Sequence, residues 1–261
     1  MRVLLVDNSK SHTSIHTPKL VEMLTNLRAE VTVCQTTSDV SCALEVRNRH
    51  KWDAVVLSGS SLNMSESLET SKISKDLMTL LQMQDVAVLG VCFGMQLLAV
   101  VNGGTIRRLE CPHEGEARIS FTLDTVLGAP HDEHEAFFHH QDVVTHMPPN
   151  FLVDGYRNED GVIASFHSRQ MHRFGVQFHP EESTGQCGPQ LLERFLRVAQ
   201  RGRVCLHEDT RISRDTFARV AMQMGRQNAH AVAEAYGLDL GMVVLVWTMF
   251  RKMYNIPAIM F

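Results

Sequence analysis

Two short segments of this chain carry residue types that could do covalent chemistry. The first is Leu89-Gly90-Val91-Cys92-Phe93-Gly94-Met95-Gln96, where a cysteine stands between two glycines, after one apolar run and before another. This is the G-x-nucleophile-x-G pattern of a tight strand-to-helix turn, with cysteine in place of serine. Such a turn forces its nucleophile into a strained backbone conformation and leaves no room for side chains at Gly90 and Gly94. It exposes the thiol and aims the N-terminus of the following helix at it, which favours the thiolate. The plainer alternative is a buried structural cysteine beside incidental glycines, and the elbow alone does not decide between them.

A cysteine nucleophile needs a base, and the base needs an acceptor to orient it. The second segment, Phe174-Gly175-Val176-Gln177-Phe178-His179-Pro180-Glu181-Glu182, offers both. A strand delivers His179 at its end, Pro180 stiffens the turn, and Glu181 can bond the other ring nitrogen. A single histidine beside a proline is usually structural. Two such segments at the ends of two strands in one domain point instead to a catalytic set of Cys92, His179 and Glu181.

The elements that must hold these residues follow from hydropathy. Short β-branched apolar runs occur at Val3–Val6, Val31–Cys34, Ala54–Leu57 and Val86–Val91. Amphipathic stretches lie between them, around Pro18–Arg28, Val40–Arg49 and Ser71–Gln82. Near-continuous apolar runs suit strands buried on both faces of a parallel sheet, so the alternation predicts βαβ units. The fold class is therefore α/β, a doubly wound, mostly parallel sheet with helices on both faces. From Thr105 to Gln177 the runs read as short and turn-separated, with antiparallel or mixed strands at Phe151–Tyr156, Val162–His167 and His172–Gln177. A helix over Leu191–Gln200, with Pro189 in its first turn, closes a domain of residues 1–202.

Residues 203–261 read as a mainly helical extension, with a helix-compatible stretch at Thr210–Tyr236 and an apolar run at Met242–Phe250. That run is too short for a membrane span, which needs about 20 residues. The extension is also too short to house a synthase.

Composition excludes several classes of function. Apolar residues make up 44% of the 261 and charged residues 21%, ordinary values for a globular protein. The net charge of -4 and the lack of a basic run argue against nucleic-acid binding. Six scattered cysteines without C-x-x-C spacing read as reduced and intracellular. The opening apolar run is too short for a signal peptide, so the expected compartment is the cytoplasm.

The two motifs, in order, resemble those of the class I, triad-type glutamine amidotransferases, which pair a G-x-C-x-G-x-Q elbow with a G-x-Q-F-H-P-E segment. The resemblance covers roughly residues 2–200. It includes Val6-Asp7-Asn8, Val56-Leu57-Ser58-Gly59, Gly103-Gly104, Phe138-His139-His140-Gln141-Asp142-Val143-Val144 and Leu191-Leu192-Glu193-Arg194-Phe195-Leu196. It implies a flavodoxin-like fold and a reaction in which Cys92 attacks the glutamine carboxamide to give a γ-glutamyl thioester. His179 would shuttle the proton and Glu181 would hold the imidazole. The oxyanion would meet the Phe93 amide and an amide of the Ser58-Gly59 loop, while Gln96 and His140 would line the substrate site. Either His139 or His140 could face the pocket. Ser60-Ser61 stands where the family usually has a second glycine.

The resemblance implies no cofactor and no metal. The partners it implies are glutamine and a separate synthase subunit that takes the ammonia, as for the glutaminase subunits of anthranilate and aminodeoxychorismate synthases and the amidotransferase half of GMP synthetase. The alternative is a free-standing γ-glutamyl hydrolase with the same triad. The extension could be a docking surface, a dimer element or a cover over the core. His131-Asp132-Glu133-His134-Glu135 reads as a solvated acidic loop, because consecutive residues do not give metal-ligand spacing.

Overall fold

The apolar runs of the first half form strands β1 (Arg2–Asp7), β2 (Glu30–Gln35), β3 (Ala54–Leu57) and β4 (Ala87–Val91). The computed structural model describes residues 1–9, 14, 16–35, 52–69, 81, 86–122, 133–168, 172–183 and 187–202. Met1–Leu206 forms one compact unit. The expected helix at Val40–Arg49, most of that at Ser71–Gln82, and the whole extension 203–261 lie outside the described residues.

Between the strands run helices α1 (His16–Asn26), α2 (Met64–Glu69) and α3 (Phe93–Val101). The second half adds β5 (Thr105–Phe121), β6 (Glu133–His146), β7 (Leu152–Arg157), β8 (Ile163–Ser168), β9 (Arg173–Val176) and α4 (Cys187–Gly202). All nine described strands join one sheet in the order β2-β1-β3-β4-β9-β8-β7-β5-β6. The pairs from β2 to β9 are parallel, whereas those from β9 to β6 are antiparallel. The sheet is thus mixed, its parallel part confined to five strands.

Alternation along the strands sends successive side chains to opposite faces. Val3, Leu5, Val56 and Leu89 pack on one face with Leu20 and Leu24 of α1 and Leu192 and Phe195 of α4. Leu4, Val6, Val55 and Val88 pack on the other with Met64 of α2 and Leu97 and Leu98 of α3. Both faces are covered, which explains why the inner strands β3 and β4 are apolar and buried along their whole length, whereas β2, at the sheet edge, is partly exposed.

Two expectations change. The region after Thr105 is dominated by one long antiparallel pair, β5 with β6, rather than by short runs. Residues 133–135, expected in a loop, belong to β6, where His134 pairs with Ile119 and Glu135 with Arg118. A third expectation fails at one position: Cys34 is disulfide-bonded, although Cys92, Cys111 and Cys187 are free.

Candidate active site

The parallel strands all end at the same edge of the sheet, and the order β2-β1-β3-β4 reverses direction between β1 and β3. In open α/β sheets the crevice outside the carboxyl ends of the strands at such a switch point is where ligands sit. Asn8 follows β1, Ser58 and Gly59 follow β3, Cys92 follows β4, and His179 lies three residues beyond β9. Topology alone therefore gathers these residues.

Cys92 sits between β4 and α3 with φ 51° and ψ -106°, a left-handed backbone that a non-glycine residue adopts only under constraint. Its N–H donates to Val176 O at 2.7 Å, tying the turn to β9. The flanking glycines are sterically required. A Cβ on Gly90 would lie 2.4 Å from Gly94 O, and one on Gly94 would lie 2.5 Å from Leu57 O. Phe93 opens α3, so its N–H has no carbonyl within the helix to bond and remains a donor beside the thiol.

His179 is nearly fully buried and held from several sides. Its backbone N–H donates to Phe137 O of β6 at 2.8 Å, and its carbonyl accepts from Ser183 Oγ at 2.9 Å. Its ring Nδ1 pairs with Glu181 Oε1 at 2.7 Å. Cys92 is within hydrogen-bonding reach of the ring. Burial opposes a charge on this imidazole, but the Cys92 charge, its hydrogen bond and the Glu181 carboxylate together hold His179 well above the ordinary histidine range.

The Ser58-Gly59 loop closes the same space. A Cβ on Gly59 would come 2.8 Å from His179 Cε1, so glycine lets this backbone approach the ring. Ser60 lines the cavity, and its hydroxyl donates to Asn8 O at 2.8 Å and accepts from Leu62 N at 3.0 Å. Serine at this position stitches the loop to the end of β1.

The opposite wall comes from β6. The Cys92 thiol faces His139 O at 3.6 Å. The His139 side chain is exposed, whereas the His140 ring is buried, edge-on to His113 with centroids 5.0 Å apart. His140 Nδ1 donates to Asp142 O at 3.1 Å, and Gln96 Nε2 donates to the same carbonyl at 2.7 Å. Asp142 was not singled out from the sequence, yet its backbone oxygen orients both residues. Its carboxylate accepts from Ser65 N at 2.8 Å and Ser65 Oγ at 2.9 Å, anchoring this wall to the start of α2. Burial, then the positive surroundings of His113, push His140 down to about 3, so the ring stays neutral.

His16, also absent from the sequence expectations, stacks on His179 with ring centroids 4.4 Å apart. Nothing in the local pattern marks it, because the two rings come from opposite ends of the domain sequence. Its ligating atom, with those of His179 and Glu181, lies in a group within 4.8 Å. The bond between His179 Nδ1 and Glu181 accounts for that closeness. A cavity of about 410 Å³ has His16, Cys92, Gln96, His139, His140 and His179 in its lining. That volume suits a small polar metabolite.

A strained cysteine facing a buried histidine that a carboxylate orients, at the carboxyl edge of an α/β sheet, is the kind of arrangement that nucleophilic catalysis by a thiol requires. The family model for glutamine amidotransferase class-I matches residues 4–199. The chain belongs to the class-I glutamine amidotransferase family and is an enzyme of that class. The glutamine-hydrolysing GMP synthase subunit of Saccharolobus solfataricus is 32% identical over 157 residues, covering 60% of this chain and 81% of that protein. GMP synthase of Thermus thermophilus is 36% identical over 112 residues, which cover 43% of this chain but only 22% of that longer protein. The fold is shared with a protein from Thermoplasma acidophilum assigned as a subunit of GMP synthase, at TM-score 0.67 and 20% identity over 80% of this chain and 98% of that one. It is also shared with a Thermotoga maritima glutamine amidotransferase, at TM-score 0.56 and 17% identity over 97% and 92% of the two chains.

Proposed function

We propose that Cys92, His179 and Glu181 form the triad that hydrolyses the side-chain amide of glutamine. The Cys92 sulfur attacks the carboxamide carbon, and the oxyanion forms against the amides of Phe93 and the Ser58-Gly59 loop. As the C–N bond breaks, the His179 proton goes to the leaving nitrogen and ammonia departs, leaving a γ-glutamyl thioester. His179 then takes a proton from water, whose oxygen attacks the thioester; glutamate leaves and the thiol is restored. Glu181 holds the ring so that the nitrogen facing sulfur is the one that exchanges protons. In this reading the wall carrying Gln96 and His140 receives the amino-acid end of the substrate.

The observation that carries this reading is the strained backbone of Cys92 opposite a histidine whose second nitrogen is bonded to Glu181 at 2.7 Å. The ammonia passes to a separate synthase subunit. Likeness to the glutamine-hydrolysing GMP synthase subunit of Saccharolobus solfataricus favours this over a free-standing γ-glutamyl hydrolase. Residues 1–202 act as the amidotransferase domain and residues 203–261 as an extension to it. We place the enzyme in the cytoplasm, with the Cys34 disulfide as a feature unusual for that compartment. Glutamine hydrolysis by the purified chain beside Cys92→Ser tests the reading. The variant should lose activity by at least about 10³-fold; equal rates in both would sink it.

A further inference from the structure

His16 stands at the first turn of α1, whose start is fixed where Ser14 Oγ accepts from Thr17 N at 3.2 Å. From there the ring lies against His179, tilted by 30° at 4.4 Å between centroids. Its Nδ1 donates to Glu182 Oε1 at 3.1 Å and lies 3.6 Å from Glu181 Oε1, the oxygen that holds His179. Glu182 in turn pairs with Lys19, one turn further along α1. The helix therefore grips both the imidazole and the two-carboxylate turn that orients it.

Resting on the triad reading above, we propose that His16 is a positioning residue for His179: it braces one face of the imidazole and ties α1 to the two-carboxylate turn that orients it. A benzene ring in this place could stack but could not donate to Glu182. A lysine or arginine could reach Glu182 but would put a permanent cation against His179 at the step where that ring is protonated.

The groups facing His16 decide its charge. His179, Glu181 and Glu182 face it from the segment after β9, Lys19 lies on its own helix, and Cys92 stands behind His179. Burial and then the His179 charge hold His16 below the ordinary histidine range, against the pull of Glu181 and Glu182. As the pH falls through its titration, His16 gains a charge and opposes the imidazolium beside it. Activity should therefore carry an acidic limb to which His16 contributes.

Three full-length variants test this. His16→Phe keeps a stacking ring and removes the titrating group, so the acidic limb of kcat/KM for glutamine should move to lower pH. His16→Ala removes the brace, and kcat should fall about tenfold with KM nearly unchanged, the mark of an interaction made during reaction rather than in binding. A packing role alone would scale the profile without moving it. Circular dichroism checks folding, and His16→Phe carries the test if His16→Ala does not fold.

The third variant, Cys92→Ser, is read by imidazole NMR in the absence of glutamine and separates this inference from the reading beneath it. In Cys92→Ser the sulfur that helps to hold the charge on His179 is gone, so the His16 resonance should titrate at higher pH than in the native chain. If that shift occurs but neither protein hydrolyses glutamine, the glutaminase reading falls and the coupling stands. An unshifted His16 titration, or an acidic limb that His16→Phe leaves in place, overturns the role of His16.

Discussion

At the scale of single residues, the site is built from groups whose charge states are set by their neighbours. His179 and His140 differ in this sense although both are buried. The first faces Cys92 and Glu181 and is drawn toward the charged form; the second sees burial and other cationic groups and stays neutral. That contrast has a consequence for stability. His140 has a folded-state value of about 3 against 6.5 in its ordinary state, so the unfolded chain binds its proton first as the pH falls. Its contribution to stability is complete above about pH 6.5 and is lost progressively toward pH 3. His16, His113 and His172 shift in the same direction and add to the slope. The urea midpoint should therefore drop between about pH 7 and pH 5, and His140→Gln should show a shallower drop. An identical slope in the variant would remove His140 from this account.

At the scale of elements, the parallel strands and the turn after β4 were legible because their signals are local. Ala54–Leu57 forms β3 as its apolar run predicts, and Gly90, Cys92 and Gly94 read as an elbow because only that turn needs small residues at both flanks. The long β5–β6 pair was not legible. β5 contains Glu110, Cys111, Pro112 and Gly115 and is mostly exposed until Ala117, so no apolar alternation announces it. Pro112 falls where the register shifts between Arg108 and His113, an irregularity that tolerates a residue without a backbone donor. Cross-strand pairing on both sides of that irregularity holds the strand, and pairing partners far apart in sequence leave no local mark. The elbow offers the sharper prediction. Gly94→Ala drives a Cβ to 2.5 Å from Leu57 O, a backbone atom that cannot swing aside. Thermal unfolding should show a loss of roughly 1–3 kcal/mol, with glutamine hydrolysis falling further than stability because α3 and the Phe93 amide are displaced together. Unchanged melting and unchanged activity would mean that the turn relaxes freely.

At the scale of the whole described unit, the site joins two halves of one sheet that use different logic. The parallel half supplies Gly59, Cys92 and His179 from strand ends, and the antiparallel half supplies a wall across the cavity from the middle of β6. Beyond the β8–β9 pairing of the sheet itself, two of the ties between the halves bear directly on the site. One is the pair of His179 N with Phe137 O, which fixes His179 to β6. The other is Asp142, whose carboxylate binds the start of α2 while its carbonyl receives Gln96 and His140. His179 takes part in the first tie, whereas the second bears on the wall of Gln96 and His140, so under the proposed function the two should separate in kinetics. Asp142→Ala removes the acceptor for Ser65 N and Ser65 Oγ and frees the carbonyl that orients Gln96. The wall then loosens while the Cys92, His179 and Glu181 contacts persist. KM for glutamine should rise about tenfold with a smaller change in kcat, because the lost interaction serves ground state and transition state alike. Ser65→Ala, which removes only the hydroxyl and leaves the Ser65 N–H bond, should show a weaker form of the same effect. A fall in kcat at constant KM in Asp142→Ala would instead place Asp142 in support of the triad, and the division between the two halves would not hold.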